Sequence, residues 1–581
     1  MNLKTARRLG VLVAGCAVLV AQTSVMAADP PTLTRPVQVT KEDLDPQRTY
    51  AAPSLLVHPD DPDTIVAGTL EFRSKQCKLM RSTDGGSTWR TLDNPPALAS
   101  YPFCLHNNSN AFQAPMAWGR NNQLYMLTVG WDVQDTRSKV SIVLHRSSDL
   151  GDSWTSSMVR DARATEQDGV NENNRPVTEI VVDRKSGNDD IVYAAYRRGW
   201  SGTSSGNGRP SMPMVAVSSD GGRTFAEPVS LTGSYFEQAG ERTSAIRSTT
   251  TVPSTTATTA PPAGTLAAQP NQSANFGGGN PSITIDDEGN LYAAWKSATS
   301  NISPSPPAGL FVSTSTDQGK SWNVTQVRPF GYETGSTFVI PQVRWSPEGG
   351  GSGTLHLVTA GTDRPALSNY STVFYMRSTD GGKTWSDDKV LPDDDPELLN
   401  GKYIPNMSIA PNGRIDVAWW DTRDDPGIRA NDVYYTYSTD NGETWAKNIR
   451  ITDQTIDRRF GVWGNNFDQN SPPSLASINE FAIVGWDDTR FSRGEDGEVA
   501  IADPVAGGEG VGGGVQDIFV SSVQFAAVGG GASSAAKVVL AAVVGLLGVG
   551  LVLLLTSMIS RRRTDAAATA SAPSKAGAAV K

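Results

Sequence analysis

Histidine and cysteine are nearly absent from this chain: four of one and three of the other in 581 residues. The histidines are scattered without ligand spacing, so no zinc centre is expected, and no other metal or cofactor. Three cysteines cannot staple a chain of this size, so the fold must rest on buried apolar surface. Positive charge is also scarce, with 50 Lys and Arg against 60 Asp and Glu and a net charge of −10. That balance argues against a nucleic-acid partner. Long apolar runs occur only at the two ends.

What the chain does have is a repeat. Ser-x-Asp-x-Gly-x-x-Trp/Phe occurs six times, at Ser82–Trp89, Ser147–Trp154, Ser218–Phe225, Ser315–Trp322, Ser378–Trp385 and Ser438–Trp445. Its aspartates, Asp84, Asp149, Asp220, Asp317, Asp380 and Asp440, are spaced 65, 71, 97, 63 and 60 residues apart. Recurrence at this period signals one supersecondary unit copied about an axis. The Asp bonds its own backbone, the Gly supplies a positive φ, and the aromatic ring buries its face between strands. These aspartates are therefore expected to be structural clamps.

Each clamp follows a run of strand formers, such as Ser141–His145 or Asp432–Tyr437. Upstream lies a strand–turn–strand stretch that starts at a proline, clearest in Pro281–Trp295 and Pro405–Trp419. Four strands per unit is the content of one propeller blade. A seventh unit, Pro472–Trp486 with Asp517–Gln524, supplies three strands and no clamp. Arg35–Thr40 resembles the strands that follow the clamps, so a strand borrowed from the N-terminus is expected to close the ring. The expected fold is all-β, a β-propeller of four-stranded blades over 33–525, with seven blades favoured and six as the fallback.

The clamps resemble the Asp-boxes, or BNR repeats, of the sialidase (neuraminidase) superfamily. They cover nearly all of residues 53–525. The resemblance implies the fold more firmly than an activity, because Asp-boxes also occur in propellers that are not sialidases.

Residues 1–27 read as a secretory signal: Lys4, Arg7 and Arg8, the apolar Leu9–Ala21, and Val25-Met26-Ala27 as cleavage site. A lipoprotein signal at Val13–Cys16 competes with that reading. Val538–Ile559 is long and apolar enough to be one C-terminal transmembrane helix. Arg561-Arg562-Arg563 places the 560–581 tail in the cytoplasm. Residues 526–537 form a Gly/Ala/Ser-rich tether, and 243–275 a disordered Ser/Thr/Pro insertion. The expectation is a single-pass cell-membrane protein with its propeller outside, where Cys77 and Cys104 can form a disulfide.

In blade topology the clamps occupy the turns between third and fourth strands. A site away from them must use the 2–3 and 4–1 connections. After the second strand, arginine recurs at a matching offset: Arg197, Arg364, Arg423 and Arg490. Guanidinium grips a carboxylate through paired hydrogen bonds, so these four are the candidate ligand-binding residues. The competing reading pairs each with the Asp one or two positions earlier. Cys104–Gln113, Gly169–Arg175 and Arg458–Asn470 add Asn and aromatic side chains suited to a sugar.

Sialidases resemble one another in using a tyrosine nucleophile, a glutamate that activates it and an acid aspartate. They also carry an early Phe-Arg-Ile-Pro motif. This chain lacks it: Phe72-Arg73-Ser74-Lys75 and Val339-Ile340-Pro341 do not match. Tyr403, Tyr332 and Glu333 are candidates for a Tyr/Glu pair, but nothing in sequence joins them, and the catalytic set stays unassigned. Three functions remain open. The first is binding of an extracellular glycan or anionic ligand, the second exo-α-sialidase or related glycosidase activity, the third a non-catalytic interaction scaffold.

Overall fold

A strand buried on both faces reads as a short apolar run, and that is how the second strand of each unit is built. Leu291–Ser297 and Ile415–Asp421 are buried along their whole length. A computed structural model of the chain describes residues 30–45, 48–72, 74, 76–93, 95, 114–131, 140–162, 170–202, 211–233, 279–297, 309–329, 341–349, 353–361, 371–394, 400–425, 430–458, 460–461, 472–492 and 515–526. The fold is an all-β propeller of seven blades.

Each blade is an antiparallel meander. Blade 1 comprises Tyr50–Val57, Ile65–Glu71, Gln76–Ser82 and Arg90–Thr91. Blade 4 comprises Ser282–Ile285, Leu291–Ser297, Gly309–Ser315 and Asn323–Pro329. Blade 5 comprises Gln342–Ser346, Thr354–Gly361, Thr372–Ser378 and Lys389–Val390. Blade 6 comprises Lys402–Ile409, Ile415–Asp421, Ala430–Ser438 and Ile449–Arg450. Blades 2 and 3 run from Met116–Trp118 to Thr155–Arg160 and from Val170–Asp183 to Val229–Ser230, joined by one parallel pairing, Asn173 with Val140.

Blade 7 holds Ser474–Ser477, Phe481–Asp488 and Asp517–Gln524. Its outer edge is supplied from the other end of the chain. Val37 pairs with Val520 and Gln38 with Phe519, and further out Thr32 pairs with Gln524. The ring is closed by the strand that resembled the post-clamp segments, and no open sheet edge is left at that seam.

The core is divided into seams, each shared by two neighbouring blades. Ile65 and Trp89 of blade 1 pack with Ile483, Ile518 and Val520 of blade 7. Val358 and Tyr375 of blade 5 pack with Ile415 and Trp419 of blade 6. At the axis, where first strands converge, Arg344 of blade 5 forms a two-pronged ion pair with Glu179 of blade 3, at 2.9 Å and 3.1 Å. Ser282 of blade 4, between them, donates to Glu179 at 2.8 Å.

The clamps sit on these seams. In blade 1, Asp84 accepts the Thr88 N–H at 2.8 Å and its hydroxyl at 2.6 Å, while Gly86 N–H donates to Ser82 Oγ at 2.9 Å. The other five aspartates repeat the arrangement with Ser153, Thr224, Ser321, Thr384 and Thr444. The residue after each Asp has positive φ and is Gly, Leu150, Gln318 or Asn441. The next residue is Gly in all six, at φ between +77° and +93°. A Cβ on Gly86, Gly151, Gly222, Gly319, Gly382 or Gly442 would meet Ile483, Leu92, Leu144, Val217, Thr314 or Tyr375. The clamp is thus both a turn and a blade-to-blade contact.

No helix among the described residues is long and apolar enough to cross a membrane. The expected span 538–559 lies outside them, as do 1–27, 243–275, 527–537 and 560–581.

Candidate functional site

The two complete copies of the post-strand arginine motif read Trp419-Trp420-Asp421-Thr422-Arg423 and Trp486-Asp487-Asp488-Thr489-Arg490. Both fold alike. The Trp419 indole N–H donates to Asp421 at 2.8 Å, and that of Trp486 to Asp488 at 2.9 Å. The arginine backbone N–H donates to the other oxygen of the same carboxylate, at 2.8 Å in each copy. Its guanidinium then returns to that carboxylate, at 2.7 Å from Arg423 and 2.8 Å from Arg490.

Each guanidinium also reaches the preceding blade. Arg423 meets Asp393 at 3.1 Å, just beyond the last strand of blade 5, and Arg490 meets Asp453 at 2.7 Å, just beyond that of blade 6. Tyr434 and Phe519 lie under the two cations, at 4.0 Å and 4.1 Å. Burial works against both charges, and the paired aspartates outweigh it, holding the arginines more basic than usual.

These are inter-blade braces. The two side chains are only 11% exposed; Arg423 ties blade 6 to blade 5 and Arg490 ties blade 7 to blade 6. Arg197 departs from the expected offset. The second strand of blade 3 runs on to Gly202, pairing with 170–174, so Arg197 lies inside the strand opposite Pro213 and is half-buried. Arg364 and Cys104 lie outside the described residues; Cys77 is disulfide-bonded. Tyr403 stands on the first strand of blade 6 opposite Trp420, while Tyr332 and Glu333 lie outside the described residues. Among the described residues, no group of three or more His, Cys, Asp or Glu is placed to hold a metal ion.

In the sequence the Arg458–Asn470 loop stands out for Asn and aromatic residues, and nothing there singles out Arg458. This arginine is 1% exposed, between blades 6 and 7 on the face opposite the clamps. Its Nε donates to Asn431 at 2.7 Å, and Trp420 lies 4.6 Å beneath it. Asp487 is an ion-pair partner at 3.5 Å. Both terminal nitrogens lack a hydrogen-bond acceptor among the described residues. Among the described residues of the same seam, Arg490 Nε lacks one too, and Asp432 Oδ2 lacks a donor. Asp432 Oδ1 is filled by Arg450 at 2.8 Å and Thr452 at 2.5 Å. Buried polar atoms are rarely left unpaired, and among the described residues these four share one seam. No residue-type signal pointed to it, since Arg458 acquires its partners Trp420, Asn431 and Asp487 from three separate stretches of chain.

A profile of the BNR/Asp-box repeat matches residues 376–387 and 436–447, the fifth and sixth clamps. The chain is an Asp-box propeller. No curated protein matches it. Among solved structures, it is similar to an α-L-arabinanase of Penicillium chrysogenum complexed with arabinobiose, at 13% identity and TM-score 0.37, covering 67% of this chain and 94% of that one. It is similar to the sialidase of Trypanosoma rangeli at 12% and 0.38, covering 75% and 55%. A Hadza microbial sialidase matches at 15% and 0.39, covering 80% and 74%. At these scores the Asp-box propeller carries no site residue over from them.

Proposed function

We propose that this Asp-box propeller binds a glycan on the face opposite its clamps, presented outside the cell by the apolar span at 538–559. One observation supports the reading: among the described residues, the seam between blades 6 and 7 holds three buried guanidinium nitrogens and one buried carboxylate oxygen without a hydrogen-bond partner, one of the nitrogens facing Asp487 at 3.5 Å. A hydroxyl both donates and accepts, so a polyhydroxylated ligand matches that mixture. The neighbouring acids Asp487 and Asp488 already balance Arg458 and Arg490, which favours hydroxyls over a second carboxylate. The Asn and aromatic residues that follow Arg458 supply the composition a sugar needs.

The test is binding of the full chain in detergent micelles to a glycan array, beside an Arg458→Met variant and a fluorogenic α-sialoside. Saturable glycan binding lost in the variant supports the reading. Turnover of the sialoside makes the protein a hydrolase instead. Neither binding nor turnover by folded protein leaves the interaction scaffold.

A further inference from the structure

The seventh blade ends differently from the other six. In those, the third strand runs into a clamp: Ser82 stands opposite Ile65, Ser147 opposite Leu124 and Ser438 opposite Ile415, each at the start of its second strand. In blade 7 that register is held by Val523, opposite Ala482, and no clamp sequence follows. A clamp turns the third strand into a fourth. Here the fourth position is already filled by Val37 and Gln38 from the other end of the chain, so the third strand is free to leave.

It leaves on the clamp face. Asp517–Gln524 runs from the 2–3 connection, where Asp517 pairs with Asp488, to the clamp end, where Gln524 pairs with Phe481. The chain also enters there, since Thr32 pairs with Gln524. Neither end of the propeller lies on the face that carries Arg423 and Arg490 beyond the second strands.

We infer that the blade without a clamp is the mooring point of the molecule: it turns the clamp face towards the membrane and the opposite face away from it, towards glycans on a facing surface rather than those of its own membrane. The inference rests on the glycan-binding reading and on 538–559 as the span. Length supports it. Thirteen residues, 525–537, separate Gln524 from the span. A Gly/Ala/Ser-rich chain of that length has an ordinary reach of about 20 Å. The third strand of blade 7, 8 residues long, stands about 24 Å tall. Turning the opposite face to the bilayer would need the tether to climb that whole height first, which exceeds its ordinary reach.

The test places one donor dye at a time on the full chain, reconstituted into phosphatidylcholine vesicles that carry an acceptor dye on their headgroups. Cys77 is already disulfide-bonded, so an introduced cysteine takes the label. Glu480→Cys marks the clamp face of blade 7, in the turn between its first two strands, beside the Phe481–Gln524 pair. Lys320→Cys marks the clamp face of blade 4, across the ring, and Phe491→Cys the opposite face of blade 7. All three side chains are exposed. Energy transfer from positions 480 and 320 is expected to exceed that from 491 severalfold. Equal transfer from 491 and 480, or transfer from 320 no stronger than from 491, overturns the inference, as does protein that stays off the vesicles. The readout uses no ligand, so it can fail while the glycan array succeeds, and the reverse.

Discussion

A Cβ placed on Gly442 would stand 1.9 Å from the hydroxyl oxygen of Tyr375, one blade earlier. That hydroxyl is bonded at 2.7 Å to His356, which burial keeps neutral by lowering its pKa to about 3. The clamp glycine therefore presses on a ring that a second buried side chain holds in place.

Gly442→Ala is expected to destabilise the protein by about 3 kcal/mol, combining positive-φ strain with a clash that Tyr375 cannot relieve cheaply. Gly381→Ala is the comparison. It has similar φ, +70°, but its Cβ would lie 3.8 Å from the nearest side-chain atom, so about 1 kcal/mol is expected. Denaturant unfolding of both variants measures the difference. Equal losses would remove the blade-contact explanation.

The clamp aspartates should show in acid. Hydrogen bonds from the Ser321 hydroxyl and backbone hold Asp317 down to about 2. With the folded value depressed, its stabilisation is present above about 3.8 and is lost as pH falls through about 2. Asp317→Asn should therefore melt below wild type at pH 6, with the gap closing towards pH 2. A gap constant across that range would contradict the assignment.

Arg423→Ala is expected to cost about 3 kcal/mol, because it strips the cation from Asp421, which is fully buried. Arg423→Lys should recover little, since one ammonium cannot meet Asp421 and Asp393 along two edges as the guanidinium does. Thermal melts decide the cost, and glycan titration separates it from binding. A melting point unchanged by the alanine would mean the arginine is not a brace.

Removing residues 30–40 should expose Asp517–Gln524 as an unpaired edge and drive self-association. Sedimentation measures it. A monomeric, fully folded truncation would show that the ring does not need this strand.

The turns were readable because their chemistry is local: Ser82, Asp84, Gly86 and Thr88 satisfy one another within a few residues. The closing strand was readable from its likeness to the other post-clamp segments. The arginine motif showed its Asp and Arg, yet its direction depends on Asp393 and Asp453, which belong to preceding blades. Arg458 and the Glu179–Arg344 pair were unreadable. The latter joins positions 165 residues apart, and no local pattern records which blades face each other across an axis.

The pairing of Val37 with Val520 also sets an order of events. The first strand to be made is the last to find its place, since its partner lies almost five hundred residues downstream. Until blade 7 exists, Thr32–Gln38 has nothing to pair with, and blade 1 has one bare side. So late a contact makes completion of the ring slow, and a growing chain must be shielded from its neighbours during that wait.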